Sequence, residues 1–223
     1  MNNNNLMIKY QPAGTGAQIA LAHIQHMRQL NPNYSVIDIG GHREGWSKQV
    51  ANLIVDIQSP ASETTIPLDI CMPWAWDQLQ ALVEIRGEKF DYAICTHTLE
   101  DIYDPIITLR RLSWIAHKGI ITMPSLRTEL SHVENASWLG YIHHRWIFDQ
   151  VDQKMLVMPK LPFLEARYHN QIQFLPECFE ISYEWHKQIP FVILSDNYFP
   201  SAEAIINMYD HHIAQSLQLT APG

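Results

Sequence analysis

Apolar positions first recur at helical spacing over AQIALAHIQHMRQL, where Ile19, Ala22, His23, His26, Met27 and Leu30 share one stripe. Asn31-Pro32-Asn33 stops that helix. YSVIDIGG then reads as a strand running into a tight glycine turn, and LIVDI, Leu53 to Ile57, as the next strand. The short span between them leaves room for one short helix over Ser47 to Asn52, a compact crossover between parallel strands. A weaker third strand ends at IPLDI, Ile66 to Ile70. Pro73 opens an aromatic helix whose Trp76, Leu79, Leu82 and Val83 face the sheet and which stops near Gly87. FDYAIC, Phe90 to Cys95, is a mostly apolar run suited to a strand covered on both faces. Asp104-Pro105 caps and opens a helix that buries Ile106, Leu109, Leu112 and Ile115. Lys118-Gly119 ends it before the strand IITM. Strand and helix alternate throughout, which is the rhythm of an α/β parallel sheet.

After Pro124 the period is lost. Residues 125–150 are polar and aromatic, long enough to form a cap on the substrate side. MLVMPKLPFLEARY mixes a short strand with a helix. Phe179 to Trp185 and Phe191 to Ser195 read as a C-terminal antiparallel strand pair joined near Lys187 to Pro190, and Ser201 to Leu217 as a closing helix. Residues 1–16, with the run Asn2 to Asn5 and Gly14 and Gly16, read as a flexible approach. The expected organisation is a single domain over 17–223, Rossmann-like, with a mostly parallel central sheet and flanking helices.

Composition narrows the function classes. Hydrophobic residues make up 47% and charged ones 17% of 223 residues, enough apolar side chains for a large core in one α/β domain. The formal charge of -8, from 15 Lys and Arg against 23 Asp and Glu, disfavours a basic nucleic-acid surface or an anionic membrane face. Cys71, Cys95 and Cys178 are odd in number and far apart, which gives neither a disulfide framework nor a CxxC site. No signal peptide or membrane span is apparent, so a cytoplasmic protein is expected. The expected partner is a small-molecule substrate, with a homo-oligomer left open.

The order of strand ends resembles the class I S-adenosylmethionine-dependent methyltransferase family over residues 34 to 124. VIDIGG is similar to that family's first strand and glycine turn, LIVDI to its acidic second-strand end, and IPLDI to its third. FDYAICTHTLEDIYDP followed by RRLSWIAHKGIITMPS is similar to its fourth strand, Glu-containing loop, helix and fifth strand. The resemblance implies S-adenosyl-L-methionine as cofactor. It implies that Asp38 orients the glycine loop or meets the cofactor's amino-acid part, that Asp56 accepts from both ribose hydroxyls, and that Asp69 meets the adenine amino group. The chain departs from the pattern at His42 and Glu44, where the family carries further glycines.

The residues argue in the same direction on their own. Loops at the carboxyl ends of parallel strands meet at a switch point, where a glycine turn exposes backbone donors and acidic groups engage hydroxyls. Gly40 and Gly41 are the first contact candidates, and carboxylates at Asp38, Asp56 and Asp69 are strong acceptors. Thr96, His97 and Glu100 follow the fourth strand, where cofactor and acceptor both come within reach.

Methyl transfer needs donor and acceptor in line, and a base where the acceptor loses a proton; it requires no metal. Candidate catalytic residues are His143 and His144, then His97 and Glu100, with imidazole the natural base near neutral pH. In SHVENASWLGYIHHRWIFD, His132, Trp138, Tyr141, Arg145 and Trp146 are the candidate substrate contacts. Adjacency alone does not make His143 and His144 a metal pair. A third ligand is needed, and His132 or Asp149 is the sequence's nearest offer. The leading function is therefore methyl transfer to a small molecule such as a saccharide or its biosynthetic intermediate. A non-catalytic ligand-binding or assembly protein and a metal-dependent hydrolase are the alternatives.

Overall fold

The computed structural model describes residues 6–133, 136–169, 179–194 and 201–219. Asn2 to Asn5, Glu134, Cys178 and Ser195 lie outside them. The expected alternation is present: β2 (Val36–Ile39), β3 (Leu53–Val55), β4 (Thr65–Ile66), α2 (Pro73–Arg86), β5 (Tyr92–Thr96), α3 (Pro105–Ile115) and β6 (Lys118–Pro124). β1 (Leu6–Pro12) and α1 (Thr15–Leu30) precede them. The link between β2 and β3 holds a single 3-10 turn, Trp46–Gln49, shorter than the helix expected over Ser47 to Asn52 and starting one residue before it. α3 starts as its sequence predicts. Asp104 Oδ1 accepts from the Ile106 and Ile107 amides at 3.0 and 3.2 Å with Pro105 in the first turn, a cap that stabilises by about 0.5–2 kcal/mol.

The main sheet has seven strands in the order β1-β9-β6-β5-β2-β3-β4, where β9 is Phe179–His186. β6, β5, β2, β3 and β4 pair in parallel. Alternate side chains of these strands face opposite layers. Val36, Tyr92, Ile94 and Ile120 pack on Ala20 and Ile24 of α1. Ile37, Ile39, Ala93, Cys95 and Ile121 pack on Trp76 and Leu79 of α2 and on Leu109 and Leu112 of α3. Each such large side chain taken out of water stabilises by roughly 1.5–3 kcal/mol. Cys71 and Cys95 are buried free thiols.

Two sequence expectations fail here. Residues 6–12 are not a flexible approach but an edge strand, β1, paired antiparallel with β9 from Leu6↔Trp185 to Pro12↔Phe179. Leu6, Ile8 and Tyr10 turn inward and Met7 and Lys9 outward, but the apolar Met7 on the outer face blurs that alternation in the sequence. The C-terminal antiparallel pair also does not form. β9 lies between β1 and β6, with both edges occupied, and β10 (Phe191–Ile193) finds a free edge elsewhere.

That edge belongs to a second sheet, β10-β8-β7, where β7 is Trp146–Val151 and β8 is Lys154–Pro159. β10 joins β8 in parallel and β7 joins it antiparallel. One face, Phe148, Met155 and Val157, belongs to the main core. The other, Ile147, Leu156 and Met158, packs with Leu164 and Tyr168 of α5 (Phe163–Tyr168) and Tyr209 and Ile213 of α6 (Ala202–Leu219). The segment 125–150 begins with α4 (Leu126–Glu129) and ends in β7, so it is rooted in this second layer at both ends. No helix among the described residues is long and apolar enough to cross a membrane.

Candidate functional site

The chain leaves β2 outward to β3 and β4, then returns to β5 on the other side, so the ends of β2 and β5 diverge into a cleft. A cavity of about 180 Å³ lies there, lined by Gly40, Asp56, Asp69, His97, Thr98 and Asp101 among others. Gly40 has φ +80, and a Cβ on it would stand 2.2 Å from Thr98 Cγ2. A Cβ on Gly41 would stand 1.7 Å from Asp38 Oδ2. The two glycines therefore let the turn close on its own chain.

Asp38 sits beneath this turn, buried and with Oδ1 unpartnered. Burial pushes its carboxyl up to about 7, a hydrogen bond from Ser47 opposes the shift, and the Asp56 charge adds to it. It supports the loop from below and does not line the cavity. Asp56 accepts from the Gln58 amide at 3.1 Å and from the Ser59 hydroxyl. Asp69 accepts from the Cys71 amide at 2.9 Å. Both are half-buried at the cavity wall and a carboxylate offers about four acceptor sites, so capacity remains on each. His42 and Glu44 make a self-contained outer turn. Glu44 N donates to His42 Nδ1 at 3.2 Å, the Glu44 carboxylate pairs with Lys48 and Arg43, and neither His42 nor Glu44 lines the cavity.

Thr96 ends β5 outside the cavity lining, and Thr98 takes the position at the wall. His97 has φ +50 and is clasped from both sides, Nε2 to Glu180 Oε2 at 3.0 Å and Nδ1 to Glu100 Oε1 at 3.3 Å. Glu180 also accepts from Gln11 Nε2 at 3.0 Å and from the Gly16 amide at 2.7 Å at the start of α1. Burial alone would push the imidazole down, but hydrogen bonds and charge from Glu100 and Glu180 outweigh it and raise His97 to about 10. Glu180 is correspondingly lowered against its own burial, whereas burial raises Glu100 despite His97. Glu180 thus straps His97, at the end of β5, to β9 and to the start of α1, with Glu100 beside the ring's other nitrogen.

His144 is differently placed. Residues 141–144 form a turn, closed by the His144 amide on the Tyr141 carbonyl at 3.2 Å, and not an extended stretch, so the adjacent rings converge. Their centroids are 4.6 Å apart. His144 is buried, with Nδ1 2.6 Å from Glu129 Oε1, and Glu129 in turn holds Lys160 Nζ at 2.7 Å. The opposite nitrogen, Nε2, lies 3.6 Å from Asp101 Oδ1, and His143 Nε2 lies 3.7 Å from the same oxygen. A second cavity, about 240 Å³, adjoins this cluster and is lined by Glu129, Trp138, Ile142, His144 and Lys160 among others.

The other expected substrate residues divide. Trp138 lines this second cavity, and the Tyr141 ring packs at a 40° tilt to His144 with centroids 4.7 Å apart. Arg145 is exposed, with its amide on the Glu100 carbonyl at 2.7 Å. Trp146 is an anchor: its indole donates to the Ile102 carbonyl at 3.1 Å. His132 faces away, bonded to the Ala136 and His169 carbonyls at 3.1 Å each. Asp149 is buried against the Tyr10 hydroxyl, so neither residue is a third partner for the histidine pair. Asp101 fills that place, from the loop after β5. Sequence reasoning missed Asp101, Glu129, Lys160, Thr98 and Glu180 as site residues. None of them carried a local signal: even Glu180 is one of three polar residues, with Ser182 and Glu184, that alternate with apolar ones in FEISYEW. No protein-family model matches this chain, and no curated protein matches it.

Proposed function

We propose that the chain transfers a methyl group from S-adenosyl-L-methionine to a hydroxyl of a small molecule. One observation carries the reading: Asp101, which lines the switch-point cavity, and His144, which lines the cavity beside Trp138, bring their side chains within 3.6 Å of each other. The first cavity is smaller than the roughly 300–1,000 Å³ of a drug-sized pocket, so it suits the nucleoside half of the donor. Asp56 would accept from the ribose and Asp69 from the base. The acceptor would lie on the Trp138 side, its hydroxyl directed at the Asp101, His143 and His144 cluster.

In that arrangement the acceptor oxygen forms a bond to the methyl carbon as the carbon–sulfur bond breaks. The electron pair stays on sulfur, giving the neutral thioether, and the hydroxyl proton leaves through the imidazole–carboxylate cluster. Placement supplies much of such a rate, because donor and acceptor are held in line. The Trp138 ring, with Glu129, Lys160 and Glu165 in the same otherwise aliphatic lining, would offer a sugar-like acceptor one stacking face and polar groups for its hydroxyls. Isothermal titration of ligand-free protein with S-adenosylmethionine and S-adenosylhomocysteine tests the reading. Saturable binding of both is expected, and no binding of either to folded protein would leave a ligand-binding or assembly module in its place.

A further inference from the structure

We propose that Asp101, His143 and His144 bind one divalent transition-metal ion of the zinc class. Their ligand atoms all lie within 4.8 Å of one another, and the two imidazole nitrogens are 3.6 and 3.7 Å from Asp101 Oδ1. Metal–ligand bonds of about 2.0–2.2 Å at tetrahedral angles place ligand atoms roughly 3.3–3.6 Å apart, so the three close on an ion with small side-chain movements. Two imidazoles and one carboxylate are a donor set for zinc, iron or cobalt and a poor one for magnesium or calcium.

A second feature is independent of that spacing. His144 Nδ1 is 2.6 Å from the buried carboxylate of Glu129, and Lys160 Nζ holds the other oxygen of that carboxylate at 2.7 Å. The carboxylate fixes the tautomer with the proton on Nδ1, leaving the Nε2 lone pair aimed at Asp101 and His143. Metal-ligating histidines are oriented in this way, by a carboxylate behind the ring. His97 shows the contrast, since both of its nitrogens are taken by carboxylates and no lone pair is left for an ion.

Asp101 and His143 are exposed, so an ion reaches the cluster directly from solvent, and three protein ligands leave coordination positions open. Binding of the ion goes beyond the methyl-transfer reading and does not depend on it. If transfer operates, those open positions would face the acceptor hydroxyl, and with the imidazole lone pairs on the ion the hydroxyl, its pKa lowered, would give its proton to water in place of the metal-free cluster.

The test uses untagged full-length protein, stripped with chelator and titrated with zinc by calorimetry and with cobalt by visible absorption. One ion per chain is expected, with cobalt bands of a four- or five-coordinate nitrogen and oxygen site. Asp101→Asn and His143→Gln change exposed side chains and should each weaken zinc at least tenfold while melting as wild type does. Glu129→Gln should weaken it about 10- to 100-fold through the ring behind which it sits. His211→Gln, at the exposed member of the histidine pair of α6, should leave binding unchanged. Absence of stoichiometric zinc binding would overturn the site, as would affinity that survives in both D101N and H143Q. Donor titration in the same samples is a separate readout: bound donor without metal overturns only the metal site, and bound metal without donor only the methyl-transfer reading.

Discussion

Two imidazole–carboxylate assemblies stand on either side of the turn that carries Glu100 and Asp101, and they differ in what they leave free. In the first, both nitrogens of His97 meet buried carboxylates and the ring is held protonated. In the second, one nitrogen of His144 meets Glu129, which Lys160 already neutralises, and the other faces the half-exposed Asp101. The Glu100 carbonyl joins the two by accepting from the Arg145 and Trp146 amides. Residue types are the same in both. Each ring faces two carboxylates; what differs is the distance to the second, 3.3 Å at His97 and 3.6 Å at His144, and the lysine that shares Glu129, and these separate the strap from the cluster to which the proposed chemistry is assigned.

The largest expected effect tests the reactive side. His144→Gln should lower turnover by about 10²–10⁴-fold and leave donor titration within about twofold, since glutamine hydrogen-bonds but has no imidazole lone pair. His143→Gln should act in the same direction. Unchanged turnover in both variants, with acceptor below saturation, would break the contrast and return attention to Glu100.

The strap should respond in stability. Glu180→Gln leaves His97 with one carboxylate and weakens the charged bonds to Gln11 and the Gly16 amide, a loss of about 2–3 kcal/mol. His97 is half-exposed, which keeps the value from rising further. Its folded pKa is about 10 against 6.5, so this stabilisation is complete below about pH 6.5 and fades as pH rises through 10. Chemical denaturation at pH 7 and pH 10 should show wild type losing the difference and E180Q losing little. Equal slopes in the two proteins would remove Glu180 from the strap.

How much of this was legible in the sequence follows from the range of the interactions. The parallel core was legible because each strand and helix from Val36 to Met123 carries its own period and its own stop, such as Asp104-Pro105 and Gly87. β1 was not, because its partner β9 lies more than 160 residues away and the apolar Met7 on its outer face blurs a short alternation. The glycine turn, Asp56 and Asp69 were found at the cavity wall because the switch point follows from strand order. Asp101, Glu129 and Lys160 meet His144 only through the turn at Tyr141 and the second sheet, and no local pattern encodes that meeting.

The donor side predicts a smaller change. Asp56→Asn keeps side-chain volume and the Gln58 amide bond, but it exchanges a charged acceptor for a neutral one at the cavity wall. Affinity for S-adenosylmethionine should fall roughly tenfold to thirtyfold, within the range of a hydrogen bond to a charged group. Identical titrations of folded wild-type and D56N protein would remove the ribose role while leaving the His144 cluster standing.

The smallest expected effect concerns Asp38, the carboxylate that neither assembly uses. Burial raises its folded pKa to about 7 from an ordinary 3.8, so between those values the folded chain binds more protons than the unfolded one. Stability contributed by this group therefore falls as pH rises through that window, and above about pH 7 a charged carboxylate is held under Gly41 with one oxygen unpartnered. Asp38→Asn keeps the shape and the Ser47 contact while removing the charge. It should stabilise by about 1 kcal/mol at pH 8, with little change at pH 5, because relaxation around a real buried carboxylate recovers part of its desolvation. Paired wild-type and variant denaturation at the two pH values isolates this group from Glu180, whose lowered pKa acts in the opposite direction. A variant equally destabilised at both would mean that the carboxylate shape and its fit beneath Gly41, and not its charge, set the contribution of Asp38.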